Sequence, residues 1–203
     1  MARWLALGAA SLLSFNVHAQ IAFDLSQLTT LLAKVKSSEA VFTEKRMVNI
    51  LAQTLESSGR LSFTAPDTFV RETLKPRQEK MAVIGNNVTL SSGSRSRTVP
   101  LDSVPEAAVI VEALRGTLTG NRQVLERHFG ATVSGNAQRW VLELVPIEPR
   151  LRELVSFVQL SGQQSLVREV TIAMADGDRS VMKIEPVLAP AASSRPASTP
   201  ASN

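Results

Sequence analysis

The sequence predicts a mainly β chain with a few helices: one strongly curved antiparallel sheet of about eleven strands whose concave side is covered by helices. Three observations carry this. Apolar and polar residues alternate with period two through residues 40–99 and again through 131–186. Turn residues interrupt that alternation at short intervals, and strands joined so tightly must be antiparallel. Few segments show apolar residues at helical spacing, so the helices cover a sheet rather than pack with one another into a bundle.

In chain order, Asp24-Leu25-Ser26-Gln27 reads as an N-cap with Gln in the capping-box position. Leu25, Leu28, Leu32 and Val35 follow at helical spacing, giving a helix over 24–36. Strands follow near 40–50, 54–64, 68–75, 78–84, 87–91 and 94–99, separated by Ala65-Pro66-Asp67, Lys75-Pro76, Gly85-Asn86-Asn87 and Ser91-Ser92-Gly93-Ser94. The cleanest alternation sets Leu55, Ser57, Gly59, Leu61 and Phe63 on one face against Glu56, Ser58, Arg60, Ser62 and Thr64 on the other. Ser103 and Pro105 open a second helix with Ala107, Ile110, Val111, Leu114 and Leu118 on one face, ended by Gly120. A third helix is capped by Asn121 and stopped by Gly130. Strands resume over 131–134, 139–145, 154–161, 166–175 and 180–186, with a helical turn at 149–153 and Asp176-Gly177 as a hairpin turn.

The ends of the chain read differently. Arg3, the apolar run Trp4 to Phe15 and Val17-His18-Ala19 form a secretory signal peptide, with cleavage expected after Ala19. The apolar run is too short to span a bilayer. Residues 20–187 are one domain, and 188–203, rich in Ala, Pro and Ser, form a tail expected to be disordered. An exported chain without a single Cys relies on packing instead of disulfides. The formal charge of +4 is mild, and basic residues alternate with acidic ones, as in Glu44-Lys45-Arg46 and Arg152-Glu153. That pattern argues against a phosphate track, so no nucleic-acid partner is expected.

Catalytic chemistry has few residues to work with. With the leader removed, His128 is the sole histidine, and there is no Tyr and no Cys. Multi-histidine metal sites and thiol catalysis are therefore excluded, and no G-x-S-x-G elbow accompanies His128. Asp176-Gly177-Asp178 lacks the oxygen count of a Ca²⁺ site and is followed by Arg179. Glu44, Glu56, Glu72 and Glu79 lie on strands, where ion-paired solvent faces are the commoner role. The expectation is a non-enzymatic protein with no metal and no cofactor. What stands out is apolar: Phe42, Leu61, Phe63, Phe69, Met81, Val83, Val88 and Leu90 can face Trp140, Leu142, Leu144, Val158, Ile172, Met174 and Met182 across the sheet. Periodicity leaves open whether they fill a solid core or line a cavity.

Several motifs resemble the LolA-like family of periplasmic lipoprotein carriers. They are Val41-Phe42-Thr43-Glu44, then Glu56-Ser57-Ser58-Gly59-Arg60-Leu61-Ser62-Phe63, then Ala65-Pro66-Asp67-Thr68-Phe69, the hairpin Ile84-Gly85-Asn86-Asn87-Val88, and Asp176-Gly177-Asp178-Arg179-Ser180 in the closing strands. The match follows element order over most of 24–186. The resemblance implies an incomplete antiparallel barrel closed by helices, whose apolar concavity holds acyl chains in transit between inner and outer membrane. It implies a lipid-binding surface of Phe42, Leu61, Phe63, Phe69, Met81, Val83, Trp140 and Leu142, with Ile110, Val111 and Leu114 as the helical lid.

The resemblance further implies a monomer with acylated lipoprotein or lipid cargo and transient inner-membrane donor and outer-membrane acceptor proteins. Two departures mark a divergent branch whose cargo extends to free or polyketide-like acyl lipid. Ala65 stands where well-studied carriers have an Arg that hydrogen-bonds the lid, and the loose tail replaces further ordered structure. The alternative is an envelope interaction module that holds a partner protein without ferrying it.

Overall fold

The computed structural model describes residues 23–187, so the leader, its cleavage point and the Ala/Pro/Ser tail lie outside the described residues. Helix α1 (Leu25–Leu32) precedes six strands: β1 (Ser37–Val48), β2 (Gln53–Thr64), β3 (Thr68–Lys75), β4 (Glu79–Ile84), β5 (Asn87–Ser92) and β6 (Arg95–Pro100). Helices α2 (Pro105–Leu118) and α3 (Arg122–His128) come next. Then follow β7 (Phe129–Asn136), β8 (Arg139–Pro146), the single turn α4 (Pro149–Arg152), β9 (Val155–Gln163), β10 (Leu166–Met174) and β11 (Arg179–Pro186).

All eleven strands form one antiparallel sheet in the order β6-β5-β4-β3-β2-β1-β11-β10-β9-β8-β7. The expected eleven-stranded sheet is thus observed, as a curved sheet left open between β6 and β7. Its two halves are each simple meanders, and what joins them is long-range: β1 pairs with β2 from Ser37↔Thr64 to Val48↔Gln53 and with β11 from Ala40↔Pro186 to Met47↔Arg179. One strand near the N-terminus therefore holds the two meanders together.

Local chemistry accounts for the element ends. Asp24 caps α1 by accepting from the Gln27 backbone N–H at 2.9 Å. The helix is shorter than its apolar spacing predicts, because the chain leaves it at Ala33 to enter β1 at Ser37. There Gly120 abuts it: a Cβ on Gly120 would stand 2.3 Å from the Thr29 carbonyl oxygen, and φ is +67°. Asn121 caps α3 by accepting from the Val124 N–H at 3.1 Å. Gly130 does not stop that helix as expected; β7 begins at Phe129, and Gly130 pairs with Val145 because the sheet ladder takes its backbone groups.

Gly59 marks a register irregularity and close strand approach in the first meander. The β2–β3 register slips between Ser58 and Gly59, and a Cβ here would lie 1.8 Å from the Glu72 carbonyl oxygen and 3.0 Å from the Phe42 ring. The two strands approach so closely that only a hydrogen fits.

The main core lies under the second meander. Leu28 and Leu32 of α1, Val109 and Ala113 of α2, and Leu125 of α3 pack on Trp140, Leu142, Leu144, Val155, Val158 and Leu160. A smaller cluster joins Val83 and Val88 to Leu101 and Val111 on the other side of α2. At the far end of the β1–β11 seam, the Asp178 carboxylate accepts from the Asn49 N–H at 2.9 Å and from Arg46 at 3.0 Å. Those donors, the backbone N–H first and the guanidinium second, hold its pKa below the ordinary 3.8.

Two outcomes follow. Gly59→Ala lowers stability by about 1–3 kcal/mol, the usual cost of overpacking, read as the denaturant midpoint. For Asp178 the folded-state pKa is depressed, so its stabilisation is complete above 3.8 and fades as pH falls through the folded-state value. Asp178→Asn should therefore be less stable than wild type at pH 7, with the gap closing on acidification below 3.8 in paired thermal melts.

Candidate functional site

Helix α2 has more apolar surface than its packing consumes. Val109 and Ala113 face the main core, while Ala107, Ile110, Val111, Leu114 and Leu118 line an open space beneath the concave sheet. These five recur at i, i+3, i+4, i+7 and i+11, a stripe along one side of the helix. The helix thus fills one neighbour and roofs another.

The space is a cavity of about 330 Å³. That lies at the lower end of small-molecule sites and is about twice the size at which an apolar cavity stays dry and takes up an apolar guest. Its sheet wall carries Leu61, Phe63, Phe69, Met81, Val83 and Val88 from the first meander and Leu160, Val170, Ile172, Met182 and Ile184 from the second. Leu32 and Val35, at and just past the end of α1, close one side. Phe63 and Phe69 are cross-strand partners with ring centroids 5.2 Å apart. The sheet's curvature brings strands from both halves of the chain to one space.

Of the eleven residues expected to bind lipid, Leu61, Phe63, Phe69, Met81, Val83, Ile110, Val111 and Leu114 lie on the cavity wall. Phe42, Trp140 and Leu142 do not. Trp140 and Leu142 are fully buried in the main core, where the helices cover β8, and Trp140 Nε1 donates to the Gln164 carbonyl at 2.8 Å. Phe42 is buried below the surface of the wall, with the Arg71 guanidinium 4.9 Å above its ring. Val35, read as the end of the first helix, lines the cavity, as do Val167, Val170 and Ile184, which the sequence did not single out. Their alternation was visible, but which end of each strand the helices leave uncovered was not.

One polar chain interrupts the apolar wall. The Glu44 carboxylate accepts from Ser180, from Ser57 at 3.0 Å and from Arg71, which also donates to Ser57 at 3.2 Å. Glu44 is 12% exposed and Arg71 29%. Four adjacent strands, β11, β1, β2 and β3, each contribute one member. Arg71 Nε is buried without a hydrogen-bond partner.

The roof is tied down by a second arginine. Arg115 of α2 pairs with Glu112 and donates to the Gly85 carbonyl in the β4–β5 turn at 2.7 Å. A cation on the helix thus reaches the sheet, in a chain that has Ala65 where the resemblance placed a lid-contacting Arg on the sheet.

His128 is exposed at the end of α3. Among the described residues no three His, Asp or Glu side chains gather as a metal site, and no helix is long and apolar enough to cross a membrane.

A curved open sheet with an apolar cavity under a helical roof defines the fold class and its candidate binding space. The chain belongs to the outer membrane lipoprotein carrier protein LolA-like family, whose model matches residues 17–201. It is similar to a LolA superfamily protein from Nitrosomonas europaea, with 9% identity, 84% of this chain and 96% of that chain covered, and a TM-score of 0.41. Similar too is the lipoprotein LppX of Mycobacterium tuberculosis, with 7% identity, coverage of 79% and 91%, and a TM-score of 0.40. The MucA/MucB complex of Pseudomonas aeruginosa matches with 13% identity, coverage of 83% and 59%, and a TM-score of 0.44. No curated protein sequence matches the chain.

Removing the roof tie should be visible directly. Arg115→Ala is expected to raise hydrogen exchange at the α2 amides by about tenfold, the equivalent of one charged hydrogen bond, while β8 and β9 keep their protection. Glu44→Gln, which leaves the Arg71 cation without its carboxylate, is expected to cost about 1–3 kcal/mol in denaturant unfolding.

Proposed function

We propose that the protein is a periplasmic carrier that takes acyl chains of a lipoprotein or lipid into the cavity beneath α2 and moves them between the inner and outer membranes. The observation that carries this reading is a helix whose apolar stripe, Ala107, Ile110, Val111, Leu114 and Leu118, borders an apolar cavity. Each methylene moved from water into such a space gains about 0.8 kcal/mol, so a non-enzymatic container suffices to carry an acyl chain. Family membership supports the same reading. Transient exchange with an inner-membrane donor and an outer-membrane acceptor completes the proposal. Removal of the leader after Ala19 belongs to it as well, because a chain still tethered by residues 4–15 could not cross between the membranes.

Native mass spectrometry of protein taken from its own periplasm is expected to show adducts of acyl-lipid or lipoprotein mass. In titrations of delipidated protein with the neutral probe N-phenyl-1-naphthylamine, Phe69→Glu and Leu114→Glu should each weaken uptake at least about tenfold, because a carboxylate in an apolar cavity is costly. Their circular dichroism should match wild type, since both side chains are only partly buried. Delipidated wild-type protein that takes up no probe would overturn the reading. One stoichiometric protein partner with no lipid mass would replace it with the interaction module.

A further inference from the structure

The concave face of β2 to β6 is graded from apolar to basic. Register partners in an antiparallel sheet point to the same face. The row Phe63, Phe69, Val83, Val88 and Val99 is wholly apolar and lies nearest α2. The next row reads Leu61, Arg71, Met81, Leu90, Arg97, and Arg95 stands two residues beyond on β6. A second hollow, of about 460 Å³, is lined on this face by Arg71, Met81, Leu90, Ser92, Arg95 and Arg97. Arg71 and Met81 belong to the walls of both hollows, so the basic one adjoins the apolar one.

The charges are unequal. Arg71 is neutralised by Glu44, and Lys80 lies 3.1 Å from Glu72. Glu79, the one carboxylate lining the second hollow, is held by Arg77 at 3.1 Å. Arg95 and Arg97 have no ion-pair partner among the described residues. Two uncompensated guanidinium groups beside an acyl-sized cavity complement an oxyanion joined to an apolar chain.

We propose that this basic hollow seats the head of the cargo, and that the cargo is an amphiphile with a phosphate or carboxylate head whose chain enters the cavity under α2. The inference rests on the carrier reading and narrows its substrate class. Arg97 and Arg95 bind the oxyanion, and Arg71, already paired, marks the border between head and chain.

The test uses delipidated mature protein and displacement of N-phenyl-1-naphthylamine by dodecyl phosphate, dodecanoate, dodecanol and inorganic phosphate. At low ionic strength the two anionic probes should bind about five- to tenfold more tightly than dodecanol, the scale of two partly exposed ion pairs. The preference should shrink near 1 M salt, where the Debye length is about 3 Å. In the double variant Arg95→Gln/Arg97→Gln it should fall below about twofold, with an unchanged melting curve because both side chains are exposed. Equal binding of dodecyl phosphate and dodecanol, or a preference that survives in the double variant, overturns the inference and leaves the carrier reading standing. Inorganic phosphate that blocks dodecyl phosphate at equal concentration also overturns it, since the hollow would then be a phosphate site unlinked to a chain. Failure of every alkyl probe to bind overturns the carrier reading itself.

Discussion

The structure turns on the seam at β1. Two meanders, each stabilised by pairing between sequence neighbours, become one curved sheet only because β1 pairs with β2 on one side and with β11 on the other. The Glu44 carboxylate lies across that seam and accepts from Ser180 of β11, Ser57 of β2 and Arg71 of β3. Burying a carboxylate in a largely apolar wall is unfavourable unless its lone pairs are filled, and here three donors from three strands fill them. Slipping any of those strands by one residue would turn its donor to the opposite face. The network therefore specifies register where two distant parts of the chain meet. Asp178 acts similarly at the outer end, tying the β10–β11 turn to the turn after β1.

The cavity follows from that seam and from the number of helices. Curvature brings β5 and β10 to opposite sides of one space, and α1, α2 and α3 contribute too little side-chain volume to fill it as well as cover β8 and β9. The helices pack densely against the second meander, with Trp140, Leu142 and Leu144 fully buried. Over the first meander α2 makes a smaller contact, Val111 packing with Val83, Val88 and Leu101. Close packing lies on one side of α2, where Val109 and Ala113 enter the main core, and space lies on the other. Arg115 adds a polar tie on the open side through the Gly85 carbonyl.

Most of the fold was legible from the sequence, because strand alternation and turn chemistry are local. The eleven strands, the roof helix and its stripe Ala107, Ile110, Val111, Leu114 and Leu118 could all be read from spacing. The differences between spacing and structure are equally physical. Gly130 resembled a helix stop, but the sheet ladder claimed it. Trp140, Leu142 and Phe42 have the same inward periodicity as Leu61 and Phe69, and pattern alone does not distinguish a side chain facing helix from one facing space. Arg115 gave no signal, because a basic residue in the last turn of a helix is ordinary there.

By itself, the sequence determined the element types, the antiparallel connections and the poverty of catalytic groups, since each depends on residue identity and short-range spacing. The tertiary structure decided that the sheet stays open between β6 and β7, that the concave side is half core and half cavity, and that Glu44, Arg71 and Ser180 meet. These depend on which surfaces of distant elements face each other. Periodicity assigns an apolar residue to the concave face, but only the packing of all the elements settles whether another side chain is there to meet it.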